Sequence, residues 1–161
     1  SYIGLKALSS KIKFKKKDKL FFVGKYYKPE LPLILTKYLF KFANSSIDVS
    51  DGLIDDLEKM INRQSLSFHL FENKIPVSNK LSNLIKKQRL NKINLISNGD
   101  DYQVLFTADI KKARIIKKAS KTTGIKITKI GKIVSGKDRS LIFDEKGKQI
   151  RAKSKGYIHR F

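Results

Sequence analysis

Residues Ile47-Asp48-Val49-Ser50-Asp51-Gly52-Leu53 place two carboxylates and a hydroxyl within four positions, where a short apolar strand should turn into a helix. Such a turn suits a metal–nucleotide site: hard cations take carboxylate oxygens, and helix N-termini accept phosphate. It equally suits a plain helix start, in which Asp and Ser cap free N–H groups and oppose the helix dipole. Strand alternation would point Asp48 and Ser50 to one side, with Asp51 in the first helical turn and Gly52 allowing close backbone approach. Acid is scarce in this chain, with 14 Asp+Glu against 36 Lys+Arg, yet Asp48, Asp51, Asp55, Asp56 and Glu58 crowd into eleven positions.

Two further segments carry chemistry. Asn98-Gly99-Asp100-Asp101-Tyr102 sets adjacent acids on a glycine turn ahead of an apolar strand; it aims a carboxylate into a cleft or is a solvated Asn-Gly turn. The tail Lys155-Gly156-Tyr157-Ile158-His159-Arg160-Phe161 offers an aromatic that either stacks on a planar ligand or packs the chain end down.

The elements that must position these residues follow from periodicity. Residues 1–9 read as a short helix, and Phe21-Phe22-Val23 as a strand within the Lys-rich stretch 10–28. A helix over about 32–43 carries Leu35, Tyr38, Leu39 and Phe42 at helical spacing. A brief strand at Ile47–Val49 precedes an amphipathic helix over about 51–64, capped by Ser50, with Leu53, Ile54, Leu57, Met60 and Ile61 inward. Asp51 and Asp55 share a face of that helix. Residues 66–71 alternate as a strand, with Leu66, Phe68 and Leu70 on one face and His69 on the other. A polar helix over 78–89, a strand over 102–108, a helix over 110–123 stopped by Gly124, a strand over 125–134 and a hairpin around Lys146-Gly147 complete the order. Helices and strands mix without regular βαβ alternation, so the class is α+β.

Composition bounds the function. At 161 residues with 40% hydrophobic residues, the chain can build one domain with a core. It has no cysteine and two separated histidines, which removes disulfides, thiol catalysis and Cys- or His-rich zinc sites. No apolar run approaches membrane-spanning length, and Ser1-Tyr2-Ile3-Gly4-Leu5 lacks the basic-then-apolar pattern of a secretory signal, so none is expected in these residues. The net charge of +22 favours anionic ligands. Only six of the basic residues are Arg and the Lys are spread along the chain, which argues against a specific nucleic-acid surface.

Taken in order, Ile47-Asp48-Val49-Ser50-Asp51-Gly52-Leu53, Gly99-Asp100-Asp101-Tyr102-Gln103-Val104-Leu105-Phe106-Thr107, Ile130-Gly131 and Gly156-Tyr157 with His159 resemble the signature of the thiamine-monophosphate kinases. Lys28-Pro29-Glu30-Leu31-Pro32 and Phe42-Ala43-Asn44-Ser45-Ser46 resemble the segment that precedes it. The resemblance spans nearly the whole chain and corresponds to the family's C-terminal half. It implies an α+β, PurM-like (aminoimidazole ribonucleotide synthetase-related, or AIR synthase-related) C-terminal domain over 1–161, a mixed sheet packed with helices. The family's N-terminal domain, which supplies most metal-binding aspartates and the homodimer contact, has no counterpart in these residues.

The roles implied are specific. Asp48 and Asp51 would hold Mg²⁺ bridging the ATP phosphates, Ser50 would contact the nucleotide, and Asp100 and Tyr157 would contact thiamine monophosphate. Asp100 stands where the family usually has Glu, Gln103 where Glu is common, and Ile158 and Arg160 alter the usual ending. The implied reaction is direct phosphoryl transfer from ATP to thiamine monophosphate in the cytoplasm, with weak or no activity expected of these residues alone. Two other readings stand beside it: a related ATP-dependent synthetase of the same superfamily, and a non-catalytic basic binding domain.

Overall fold

The apolar stripe over Leu53, Ile54, Leu57, Met60 and Ile61 buries as a helix of that spacing must, and it becomes the spine of the main core. A computed structural model describes residues 2–9, 12, 14–62, 64–99, 101–153 and 156. Helices α1 (Tyr2–Leu8), α2 (Lys16–Tyr27) and α3 (Leu33–Leu39) lead into strand β1 (Ala43–Asp48) and helix α4 (Leu53–Ile61). Strand β2 (Leu66–Phe71), a 3-10 turn at Glu72–Lys74, and helices α5 (Asn79–Gln88) and α6 (Lys92–Ile96) follow. Strand β3 (Val104–Ala108), helix α7 (Ala113–Thr123), and strands β4 (Gly131–Ser135), β5 (Leu141–Phe143) and β6 (Gln149–Ile150) close the order.

The strands form two sheets. Strands β1 and β3 pair antiparallel, with Asp48 opposite Val104. The other sheet runs β4-β2-β5-β6 and is mixed: β2 is antiparallel to β4 and parallel to β5. Helix α4 contacts both β1 and β2, so it bridges the two sheets. Phe68 and Leu70 of β2, Ile75, Ile93, Ile96 and Ile142 join its apolar stripe in one buried cluster. This mixture of helices with antiparallel and mixed sheets is the α+β class expected.

Several elements differ from expectation. Phe21-Phe22-Val23 lies inside α2, not in a strand. Gly4 lets α2 lie directly on α1, since a Cβ there would overlap the Phe22 carbonyl and come within 2.6 Å of Tyr26 Cβ. Phe22 is thereby buried with Ile3 and Leu84, and a three-residue apolar run cannot by itself distinguish helix from strand. The helix expected to reach 43 stops at Leu39, because β1 starts at Ala43 to pair with β3. Helix α4 starts at Leu53 with Gly52, not Ser50, at its N-cap. Of the alternating stretch 125–134, only residues from Gly131 onward enter a strand; Ile125 and Ile127 pack instead beside Leu35, Phe42 and Ala119. Among the described residues no helix is long and apolar enough to cross a membrane.

Candidate functional site

The acidic turn is built from backbone outward. Gly52 has φ +136, a conformation that side-chain-bearing residues rarely adopt, and a Cβ there would overlap the Ser97 carbonyl. Gly99 answers from the opposite loop: a Cβ on it would overlap the Ser50 carbonyl and stand 2.8 Å from the Asp51 carbonyl carbon. Gly156 completes the convergence, since its Cβ would lie 2.6 Å from Asp55 Cβ and 3.1 Å from the Asp51 carbonyl oxygen. Gly99 and Gly156, from two separate segments, thus press on one turn, Ser50–Asp55, while Gly52 within that turn presses back on Ser97.

Asp56 holds that turn in shape. It is 1% exposed, and its Oδ2 accepts from the backbone N–H groups of Ser50 at 2.9 Å, Asp51 at 3.0 Å and Gly52 at 3.1 Å. A buried carboxylate is costly unless hydrogen-bonded, and three amide donors satisfy it. The three donors are the N-cap Gly52 and the two residues before it, so the bonds fix the chain's entry into α4. Sequence reasoning counted Asp56 among the crowded acids but missed this role, since side-chain capping is normally done from before the helix rather than from inside it.

Lys59 sits one helical turn further on. Its Nζ lies 2.5 Å from Asp51 Oδ2, 2.7 Å from Asp55 Oδ2 and 3.5 Å from Asp56 Oδ1. Hydrogen bonds to Asp51 and then Asp55 hold its ammonium well above the ordinary lysine range. Lys59 escaped the sequence reading, although its spacing of three and four from Asp56 and Asp55 signals a shared helix face.

The expected site residues divide into three groups. Asp51 is half-buried and converges with Asp55 and Asp56: one oxygen from each lies within 4.8 Å of the others, a donor set of the all-oxygen kind that hard cations take. Asp48 ends β1 on its exposed face and is not a member of that trio, while Ser50 lies half-buried beyond the strand. Asp100 and Tyr157 lie outside the described residues.

The loop carrying Asp101-Tyr102-Gln103 extends the β1–β3 pairing toward the turn. The Tyr102 N–H donates to the Val49 carbonyl and the Val49 N–H to the Gln103 carbonyl, both at 2.9 Å, so two residues face one as in a β-bulge. Tyr102 takes φ +51 at this point, and its side chain is exposed. Gln103 Nε2 donates to the Glu30 carbonyl at 3.2 Å, which ties the segment after α2 to the same edge.

No family model matches the chain. Curated relatives do. A thiamine-monophosphate kinase of Buchnera aphidicola subsp. Acyrthosiphon pisum is 36% identical over 120 residues, 74% of this chain and 36% of that protein. The one from Buchnera aphidicola subsp. Schizaphis graminum is 32% identical over 162 residues, 99% of this chain and 49% of its own length. Among solved structures, AaThiL complexed with AMPPCP and TMP superposes with a TM-score of 0.72 at 25% identity, covering 96% of this chain and 47% of that one. The chain spans half or less of the length of these relatives.

Proposed function

We infer that this chain is the C-terminal part of a thiamine-monophosphate kinase, which transfers the γ-phosphoryl group of ATP to thiamine monophosphate and yields thiamine diphosphate and ADP. The observation that carries this reading is the meeting of three separated glycine segments, in which Gly99 and Gly156 close on the Ser50–Asp55 turn that contains Gly52. The same three segments, in the same order, carry the resemblance to that family. A similar protein has been solved with AMPPCP and TMP, which supports an adenine nucleotide and thiamine monophosphate as ligands of this one.

The PurM-like fold, a homodimer formed through a domain outside these residues, and a cytoplasmic setting belong to the same proposal. So do the roles of Asp48 and Asp51 toward Mg²⁺, Ser50 toward ATP, and Asp100 and Tyr157 toward thiamine monophosphate. Mg²⁺, when bound, neutralises phosphate charge as the phosphoryl group moves. Asp51 and Asp55 are the residues of the converged trio best placed to hold it, since Asp56 spends one oxygen on three amides. These residues bind and orient; phosphoryl transfer asks for positioning and charge neutralisation rather than a protein nucleophile.

The test is Asp51→Asn in the complete protein, with thiamine diphosphate formation measured under saturating ATP. A loss of turnover by orders of magnitude with the fold retained is expected. Near-normal turnover would remove the metal role and leave a capped helix.

A further inference from the structure

The acids of the turn already hold a cation. Lys59 Nζ makes close contacts with Asp51 and Asp55 and a longer one with Asp56, so it touches the same three side chains whose oxygens gather within 4.8 Å. Its side chain is 46% exposed, while those of Asp51 and Asp55 are 27% and 32% exposed. The ammonium therefore lies at the mouth of the acidic turn, on a flexible four-carbon tether anchored one helical turn away. Nothing buries it there, so it can swing into solvent at small cost, because exposed ion pairs contribute little.

We propose that Lys59 is a tethered counter-cation that occupies the acidic turn until a divalent cation displaces it. Lys59 would thus be a positioning and gating residue. Without metal it draws the Asp51 and Asp55 side chains together and screens their repulsion. With metal it must withdraw, because ammonium and cation compete for the same oxygens and repel one another at that distance. This inference rests on the metal role given to Asp51 in the proposed function. It adds that part of the affinity for a divalent cation is lost to an internal competitor, and that the empty turn does not collapse or splay.

The test uses Mn²⁺ alone as the probe, titrated into the complete protein, with the domain outside these residues included, and read by the paramagnetic resonance of free Mn²⁺. Lys59→Met is expected to bind Mn²⁺ about threefold to tenfold more tightly than the wild type, the range set by the small worth of exposed ion pairs. Lys118→Met, which removes an exposed charge on α7 away from the turn, controls for net charge and is expected to leave affinity unchanged. Lys59→Arg keeps the competing charge and is expected to stay within a factor of two or so of the wild type. A second readout is the Lys59 ammonium resonance, expected to shift to solvent-like exchange as a diamagnetic Mg²⁺ titration fills the turn. Equal or weaker Mn²⁺ binding by Lys59→Met, with wild-type binding intact, would overturn this inference alone. No Mn²⁺ binding by either protein would overturn the metal role of Asp51 with it.

Discussion

Gly99 lies against the carbonyl of Ser50 with no room for even one methyl group between them. The neighbour is backbone, so it cannot rotate away as a flexible side chain would. Gly99→Ala must therefore push apart the two loops that frame the acidic turn. A stability loss of about 1–4 kcal/mol is expected, in the range of forced overpacking. Gly24 is the contrasting case: it sits inside α2 with nothing within 4 Å of an added Cβ. Gly24→Ala should stabilise by about 0.5–1 kcal/mol, the helix-propensity difference. Thermal unfolding of both variants checks the pair; a Gly99→Ala protein as stable as the wild type would mean that the two loops are not packed as described.

Much of this arrangement was legible in the residues. The stripe of α4 has a period that only a helix satisfies, and all five of its expected inward residues are buried. Gly52, set between Asp51 and Leu53, marked a place where backbone approaches closely, and it does, against the Ser97 carbonyl. What the residues could not show is which partner each glycine meets, because Gly52–Ser97 and Gly99–Ser50 are long-range contacts set by tertiary packing. Helix α6 escaped notice because five residues give too short a period, and its buried Ile93 and Ile96 count only once β2 and α4 are in place. The role of Asp56 was invisible for a related reason: its carboxylate folds back against the chain direction to reach amides four to six residues upstream.

Asp56 should matter more to stability than to ligand binding. Asp56→Asn replaces a charged double acceptor with one neutral oxygen, leaving buried amides poorly paired. A loss of about 1–3 kcal/mol is expected, seen as a lower urea midpoint at unchanged slope. An unaltered midpoint would show that the three amides find other acceptors.

Lys59 gives the turn a pH signature. Its ammonium is favoured in the folded state by Asp51 and Asp55, so its folded pKa stands above the unfolded one. The stabilisation is then fully present below the unfolded value, about pH 10. It is lost as the pH rises through the higher folded value. The melting-temperature difference between wild type and Lys59→Met should be flat from neutral pH to about pH 10 and shrink beyond it. The effect is small, because the side chain is nearly half exposed and the pair is screened. A difference that vanished below neutral pH would instead point to the carboxylates as the titrating groups.

Lys92 carries the opposite sign. Its Nζ donates to the carbonyls of Glu72 and Ile75, both at 2.7 Å, and so pins the 3-10 turn after β2 to the start of α6. Partial burial pushes its pKa below the ordinary lysine range, against a smaller opposing pull from Glu72. The unfolded chain therefore holds this proton to higher pH than the folded one. Between the folded and unfolded values the unfolded state binds more protons, and stability from this group rises with pH. Lys92→Met removes the titration and leaves two carbonyls short of a donor. It should cost about 1–3 kcal/mol at neutral pH, and the deficit relative to wild type should widen as the pH climbs toward 10. A neutral-pH deficit near zero would show that solvent replaces the ammonium at both carbonyls, and that the junction between β2 and α6 is held by Ile75 and Ile93 packing alone.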